Sequence, residues 1–456
     1  MARELERDLS LYATVTISIG AMVGSGIFVL PGHAAEIAGP AVVLAYLLAG
    51  LVVLPAALAK AEMATAMPEA GGTYLYIDRA MGPLPGTIAG VGAWFSLVFK
   101  SAFALVGLGA YLVLFVEIPA GSVKLVALGL AGLLLVVNVV GVKQSGRLQA
   151  GIVTLVLVSL LAFVGDGLTY VEQAHYHPFF AEGASGLFAA TGFVFVSYAG
   201  VTKIASVAEE VENPGRNIPI GILSSIVVMM ALYTLVVFVV VGVVPAGELE
   251  RSLTPMALAG RSFLGRTGEI AVAVVAVLAL TSMANAGILS SSRFPLAMSR
   301  DALAPSALGR VSDRFRTPVF SIALTGAVLL ALVAFVEVVD LAKLASAFQI
   351  LVFTFENAAL VAFRESELES YRPEFVAPGY PLVPLAGILG GLALLTQMGW
   401  IPSVGPSASS SSGPSGTGST AASAQSARAL PSTPSGESRA SGHSPARGPP
   451  SSPRAN

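Results

Sequence analysis

The 456-residue chain is 55% hydrophobic and only 11% charged, against about a quarter charged in a soluble globular protein, and its mean hydropathy of +0.79 puts most of it in lipid. A formal net charge of -2 gives no footing for nucleic-acid binding, and the absence of cysteine excludes disulfides, thiolate metal sites and thiol nucleophiles.

Residues 1–11 are short and charged and run into an apolar stretch without an Ala-x-Ala cleavage site, so they read as a cytoplasmic N-terminus and not as a removable signal. A bilayer core takes about 20 apolar residues per helix. Windows of that length predict ten spans, at 12–31, 37–59, 85–115, 122–142, 148–166, 186–208, 217–244, 268–292, 318–337 and 340–363, with a partial eleventh from Pro384 to Trp400. With the N-terminus inside, fourteen Lys and Arg, Lys60 and Arg364 among them, fall in inner loops. Five fall outside: Lys124, Arg251, Arg261, Arg266 and Lys343. The positive-inside rule therefore gives a multi-pass plasma-membrane protein with its N-terminus in the cytoplasm.

Two of these spans are interrupted. The first reads Ile19-Gly20-Ala21-Met22-Val23-Gly24-Ser25-Gly26-Ile27-Phe28, and glycine lets the backbone leave α geometry without steric cost. N–H groups freed at mid-membrane need a partner, which a buried anion supplies. The sixth carries Ser197-Tyr198-Ala199-Gly200-Val201-Thr202-Lys203 where lipid is expected. Breaks at corresponding places of two five-helix halves, 12–166 and 167–363, mark a midplane transport site between inverted repeats. Close helix packing at Gly24 and Gly26 is the competing account.

Ordered motifs extend the pattern. Gly24-Ser25-Gly26-Ile27-Phe28 is followed by Ala61-Glu62-Met63-Ala64 and Pro68-Glu69-Ala70-Gly71-Gly72-Thr73-Tyr74-Leu75-Tyr76, and then by Ala208-Glu209-Glu210-Val211-Glu212-Asn213-Pro214-Gly215-Arg216-Asn217-Ile218-Pro219. Ala297-Met298-Ser299-Arg300-Asp301 and Arg314-Phe315-Arg316-Thr317-Pro318-Val319 follow the eighth span. Together, over about Leu9 to Arg364, these resemble the amino acid permeases of the amino acid–polyamine–organocation superfamily, and its basic and neutral amino acid carriers in particular. The resemblance implies an all-α membrane protein with a LeuT-type 5+5 inverted repeat, broken first and sixth spans and a zwitterionic substrate.

On that fold the amides of Ser25, Gly26 and Ile27, with Gly24, face a substrate carboxylate at the positive end of a half-helix. Uncovered carbonyls at Ile19, Gly20, Phe195 and Tyr198 face its ammonium, and Gly200 lies in the second break. Apart from the resemblance, Phe195 reads as a packing aromatic in preference to a site residue, whereas Tyr198 adjoins Gly200 in the break. Ser282 and Asn285 in the eighth span are candidates for an ion site or for ordinary interhelical hydrogen bonds. A lysine at mid-membrane costs roughly 3 kcal/mol on insertion scales, so Lys100 and Lys203 are candidates for coupling, with snorkelling as the alternative. Glu356 is the membrane carboxylate expected to pair with one of them. Some proton-coupled relatives carry a lysine in the fifth span; here that span has none, and Thr154 is a candidate Na⁺ ligand. Proton symport, Na⁺ symport and exchange all stay open, and no cofactor or metal is expected.

Residues 364–400 form an inner loop and the partial eleventh span, and from Ile401 the chain turns to Ser, Pro, Gly, Ala and Arg, a composition that cannot offset ordering entropy. The switch falls inside an apolar stretch, so 401–456 read as a truncated or frame-shifted end, a regulatory or mucin-like tail being the alternative. The leading function is secondary transport of amino acids by alternating access, and the alternative is a non-transporting sensor with the same site. A channel would need a filter or charged ring that is not evident. No histidine at 33, 175, 177 or 443 sits mid-span beside a nucleophile, so an enzyme is not expected. Oligomeric state is not legible.

Overall fold

The computed structural model describes residues 9–67, 72–116, 119–141, 146–301, 303–366 and 371–398. The Pro68–Gly71 part of the loop motif, Lys143, Trp400 and the tail lie outside them.

Residues apolar on every face have no reason to choose one side, and buried in lipid they satisfy their backbone only as helices. The chain does so in this order: α1 (Leu11–Met22), α2 (Ser25–Phe28), α3 (Leu30–Ala38), α4 (Val42–Ala66), α5 (Gly72–Met81), α6 (Pro83–Val113), α7 (Val123–Val140) and α8 (Gly146–Gly167). Then come α9 (Gly183–Val194), 3₁₀ turns over Phe195–Tyr198 and Val201–Glu210, α10 (Pro214–Val243), α11 (Ala246–Leu249), α12 (Pro255–Arg300), α13 (Val319–Phe335), α14 (Val338–Glu365) and α15 (Leu382–Gln397). Proline at the first position starts α6, α10 and α12, where its missing N–H is no loss. Eight helical stretches among the described residues are long and apolar enough to cross a membrane; Leu11–Met22, Val319–Phe335 and Leu382–Gln397 are apolar but shorter. The protein is a multi-pass, all-helical membrane protein.

Every predicted span has a helical counterpart, but boundaries shift. The first is three pieces reaching Ala38, and the sixth leaves α geometry at Phe195 without regaining it before Glu210. The eighth runs to Arg300 and bends at Gly265 (φ 59). One shift matters most. α4 continues to Ala66, past the predicted end at 59, so Lys60 is a buried helical residue and not a loop cation. A window sized to lipid thickness cannot see a helix that keeps running once its partners become polar.

α10 packs against both α1 and α4, and all three touch the 3₁₀ stretch after Gly200. α6, α7, α12 and α13 form a second pack, and α14 lies along the seam, against α4 and α9 as well as α6 and α15. Where α4 and α14 end, Glu62 is the tie. Its carboxylate accepts from Arg364 Nε at 2.9 Å and from Arg364 Nη2, from the Tyr371 hydroxyl at 3.1 Å and from the Ala377 N–H at 2.7 Å. Burial, then the Glu62 charge, pushes the Tyr371 phenol well above its ordinary range, so it remains a donor at any physiological pH.

Glu62→Gln removes the anion beneath Arg364 and leaves that guanidinium uncompensated. The expected loss is about 3 kcal/mol, read as a lower thermal midpoint of the detergent-solubilised protein; an unchanged midpoint would contradict this role.

Candidate functional site

The first break begins where α1 stops at Met22. Val23 N–H still reaches Ile19 C=O at 2.9 Å, so the Ile19 carbonyl, expected to be uncovered, is paired. The i→i−4 ladder persists one residue past the helix, and the carbonyls with outside partners lie further on. Ala21 C=O accepts from Lys100 Nζ at 3.3 Å, and Met22 C=O from the Tyr233 hydroxyl at 2.9 Å. This carbonyl end is the negative end of α1, which favours a cation there.

Across Gly24, the Ser25 N–H points at Met283 Sδ (3.1 Å) from α12, and the Ser25 hydroxyl lies 3.5 Å from the same sulfur. Ile27 N–H and Phe28 N–H both reach Gly24 C=O at 3.1 Å. The Ile27 amide, expected to face an anion, is therefore taken by its own chain in this conformation, because the backbone re-forms a short helix at once. Gly26 C=O accepts from the Tyr46 hydroxyl at 2.6 Å and from Ser197 at 3.3 Å, and Phe28 C=O accepts from Tyr111 at 2.7 Å.

The sixth-span break is bridged by one side chain. Ser346 of α14 accepts from Val196 N–H at 3.1 Å and donates to Phe193 C=O at 2.7 Å. Phe195 packs edge-on against Phe353, with ring centres 5.7 Å apart, and the Tyr198 hydroxyl donates to Tyr46 C=O at 2.9 Å. Both rings are fully buried, so here they act as packing groups.

The two breaks meet backbone to backbone. A Cβ on Gly200 would lie 2.1 Å from the Ala21 carbonyl oxygen, and one on Gly26 would lie 2.8 Å from Ser197 Cα. Glycine is required at both positions by this approach. The structure thus brings Gly24, Ser25, Gly26, Ser197, Tyr198 and Gly200 into one crossing, with Gly20 lining a small cavity beside it together with Val23, Gln149, Val153 and Ser282.

The candidate coupling residues fall into different places. Lys100 is at the crossing. Lys203 sits, partly buried, on the 3₁₀ stretch. Glu356 pairs with neither: its Oε1 is 2.7 Å from Lys60 Nζ, a consequence of the longer α4. Ser282 donates to Gln149 Oε1 at 2.6 Å and Asn285 accepts from Asn138 at 2.8 Å, so in this conformation both make interhelical hydrogen bonds. Thr154 donates to Ala150 C=O at 2.9 Å and faces outward, away from the crossing and from Ser282 and Asn285. The residues missed by sequence reasoning are Tyr46, Tyr111, Tyr233, Ser346 and Met283. Their common signal is a lone polar or polarisable group within an apolar span, too frequent to single out any one of them.

The sequence model of the amino acid permeases matches residues 9–415. The chain is 30% identical over 426 residues to a branched-chain amino acid permease of Bacillus subtilis, covering 88% of this chain and 90% of the relative. It is likewise 30% identical to a methylthioribose transporter of Bacillus subtilis, covering 88% of this chain and 92% of the relative. A vacuolar cationic amino acid transporter of Arabidopsis thaliana is 30% identical over 79% of this chain and 60% of its own length.

Gly200→Ala places a methyl against the Ala21 carbonyl, where neither backbone can yield cheaply. The expected result is a folded protein whose function falls at least about tenfold, the equivalent of some 1.4 kcal/mol; wild-type function in this variant would show the approach to be dispensable.

Proposed function

Because the chain belongs to the amino acid permease family, we propose that it is a secondary carrier moving amino acids across the plasma membrane by alternating access around the crossing of the two breaks. In this reading spans one to five and six to ten are inverted repeats, the N-terminus is cytoplasmic, and the crossing lies near the bilayer midplane. The observation that carries it is the opposition at the first break of a carbonyl end, Ala21 and Met22, to the Ser25 amide, with Gly200 against the former. That is the polarity an α-amino acid requires at its two charged ends.

The ammonium would take the carbonyl end, with Gly20, Phe195 and Tyr198 around it, and the carboxylate the amides of Ser25 and Gly26. Lys100, Tyr233 and Met283 hold those partners in the conformation described. A thioether is a weak acceptor, so its exchange for a carboxylate on the Ser25 N–H is favourable. A Lys on the carbonyl end occupies the place of a cation, so ligand entry and the position of Lys100 are coupled. The branched-chain and cationic amino acid carriers among the relatives support branched-chain and basic amino acids as substrate classes, while the methylthioribose relative provides a non-amino-acid competitor. Proton symport, Na⁺ symport and exchange remain alternatives for the driving force.

The test is uptake into proteoliposomes of labelled leucine, isoleucine, valine, lysine and arginine, with Na⁺ and pH gradients imposed separately and methylthioribose as competitor. Saturable uptake of at least one α-amino acid is expected. The matching amine, lacking the carboxylate, should compete about tenfold or more weakly, since a charge-assisted hydrogen bond contributes about 1.5–3 kcal/mol. A stable protein with no saturable uptake of any of the five would refute the proposal.

A further inference from the structure

The pair between Lys60 on α4 and Glu356 on α14 takes no part in the crossing, and it differs from the Glu62 tie two residues further along α4. Lys60 is 1% exposed and Glu356 0%. The ammonium lies 2.7 Å from Glu356 Oε1 and 2.6 Å from the Thr73 hydroxyl of α5, with the Tyr76 ring centre at 5.1 Å. Glu62 has donors on both oxygens, whereas Glu356 Oε2 is buried with no hydrogen-bond partner among the described residues. Leaving a buried acceptor unmet costs about 1–3 kcal/mol, more for a charged group. A proton on that oxygen removes the charge that makes the vacancy costly, but leaves the buried Lys60 ammonium with Thr73 alone to accept from it among the described residues, so neither protonation state is fully compensated.

The surrounding charges do not compensate Oε2. On α4, Glu62 belongs to Arg364 of α14. On α6, Lys100 reaches Ala21 C=O. On α5, Tyr74 donates to Asp301, Asp78 lies against Gly86, and Arg79 is exposed. α9, α15 and the turn at Phe195–Tyr198 carry no charged residue.

Resting on the carrier reading above, the geometry points to Glu356 as a proton-binding site that drives the carrier, with Lys60 as its positioning partner. An O–H bond forms at Oε2 and the ion pair with Lys60 is lost, the ammonium keeping Thr73; when the proton leaves on the other side, the ion pair re-forms. No electrons move. Position makes this a coupling step: α4 packs with α10 and the 3₁₀ stretch, while α14 packs against α6, so the pair fastens the seam between the two helix packs. Protonation loosens that seam and deprotonation tightens it.

The experiment uses the full chain in proteoliposomes and the amino acid that the wild type exchanges, comparing counterflow exchange without gradients with accumulation under an acid-outside pH gradient. Three variants are made: Glu356→Gln, Glu356→Asp, and Lys60→Met with Glu356→Leu, the last because apolar replacement of a buried ion pair is often neutral for folding. The wild type should accumulate substrate more steeply as the outside is acidified. The Gln and double variants should keep exchange but lose accumulation and its pH dependence, and Asp should retain both. Accumulation surviving in the double variant, or exchange disappearing there together with accumulation, would mark the pair as structural and overturn the inference. So would a wild type that exchanges but does not respond to the pH gradient, a result that leaves the carrier reading standing. Absence of wild-type exchange would instead refute the carrier reading itself.

Discussion

A peptide group that leaves the helix inside a membrane has no water to turn to, and each unmet N–H or C=O there costs several kcal/mol. The break at Gly24 frees such groups in the middle of the first span, and much of the surrounding structure answers them. Tyr46 from α4 serves Gly26, Tyr111 from α6 serves Phe28, and Tyr233 from α10 serves Met22. Ser346 from α14 performs the same task for Phe193 and Val196 in the sixth span. Four helices are therefore fixed in register by the hydroxyls they must deliver. The tyrosines reinforce one another as well, since Tyr233 packs against both Tyr46 and Tyr198 with ring centres 6.1 and 5.5 Å apart.

These neutral donors differ in kind from the charges at the far end of α4. A hydroxyl on a carbonyl contributes on the order of 1 kcal/mol and leaves no net charge behind when it rotates away. A buried ion pair has to offset a large desolvation penalty and does so only with good geometry and satisfied remaining atoms. Glu62 meets that standard, with Arg364, Tyr371 and Ala377 around it, and reads as a fixed tie. Glu356 does not, with one oxygen held and the other without a partner among the described residues. Two carboxylates, one on α4 and one on α14, are thus placed in opposite circumstances, one with donors on both oxygens and one with a donor on a single oxygen.

How much of this was legible in the sequence follows from what each inference required. The glycine-rich run Gly24-Ser25-Gly26 located the first break, and the polar run around Gly200 located the second. That the two cross followed from the pattern of interrupted spans and is realised by the contact between Gly200 and Ala21. Which carbonyls open was not legible: Ile19 and Ala21 differ only in whether the i→i−4 ladder runs to Val23, a matter of backbone geometry. The outward face of Thr154 was hidden for a related reason, since a helix apolar all round gives periodicity nothing to detect. Lys60 was lost to the thickness rule, and its pairing with Glu356 spans 296 positions in the chain. No local pattern carries that information.

The partners found at the crossing also bear on how the proposed carrier would work. A strong permanent ligand on the Ser25 amide would leave no room for a substrate, and an empty amide in a dry interior would be too costly to keep. Met283 lies between these limits: a thioether on a flexible stem excludes lipid and accepts the N–H weakly. Lys100 does the same for the Ala21 carbonyl with a tethered cation, held at 3.3 Å by a single backbone acceptor. Both are side chains of the second helix pack, α12 and α6, while the groups they satisfy flank the first break, Ala21 on α1 and Ser25 on α2. In the proposed carrier, a shift of α1 and α2 against α6 and α12 would withdraw both internal partners, and the backbone ends they leave would be costly unless something with an anionic and a cationic end took their place. Binding and movement would then be coupled by this exchange before any external ion is considered.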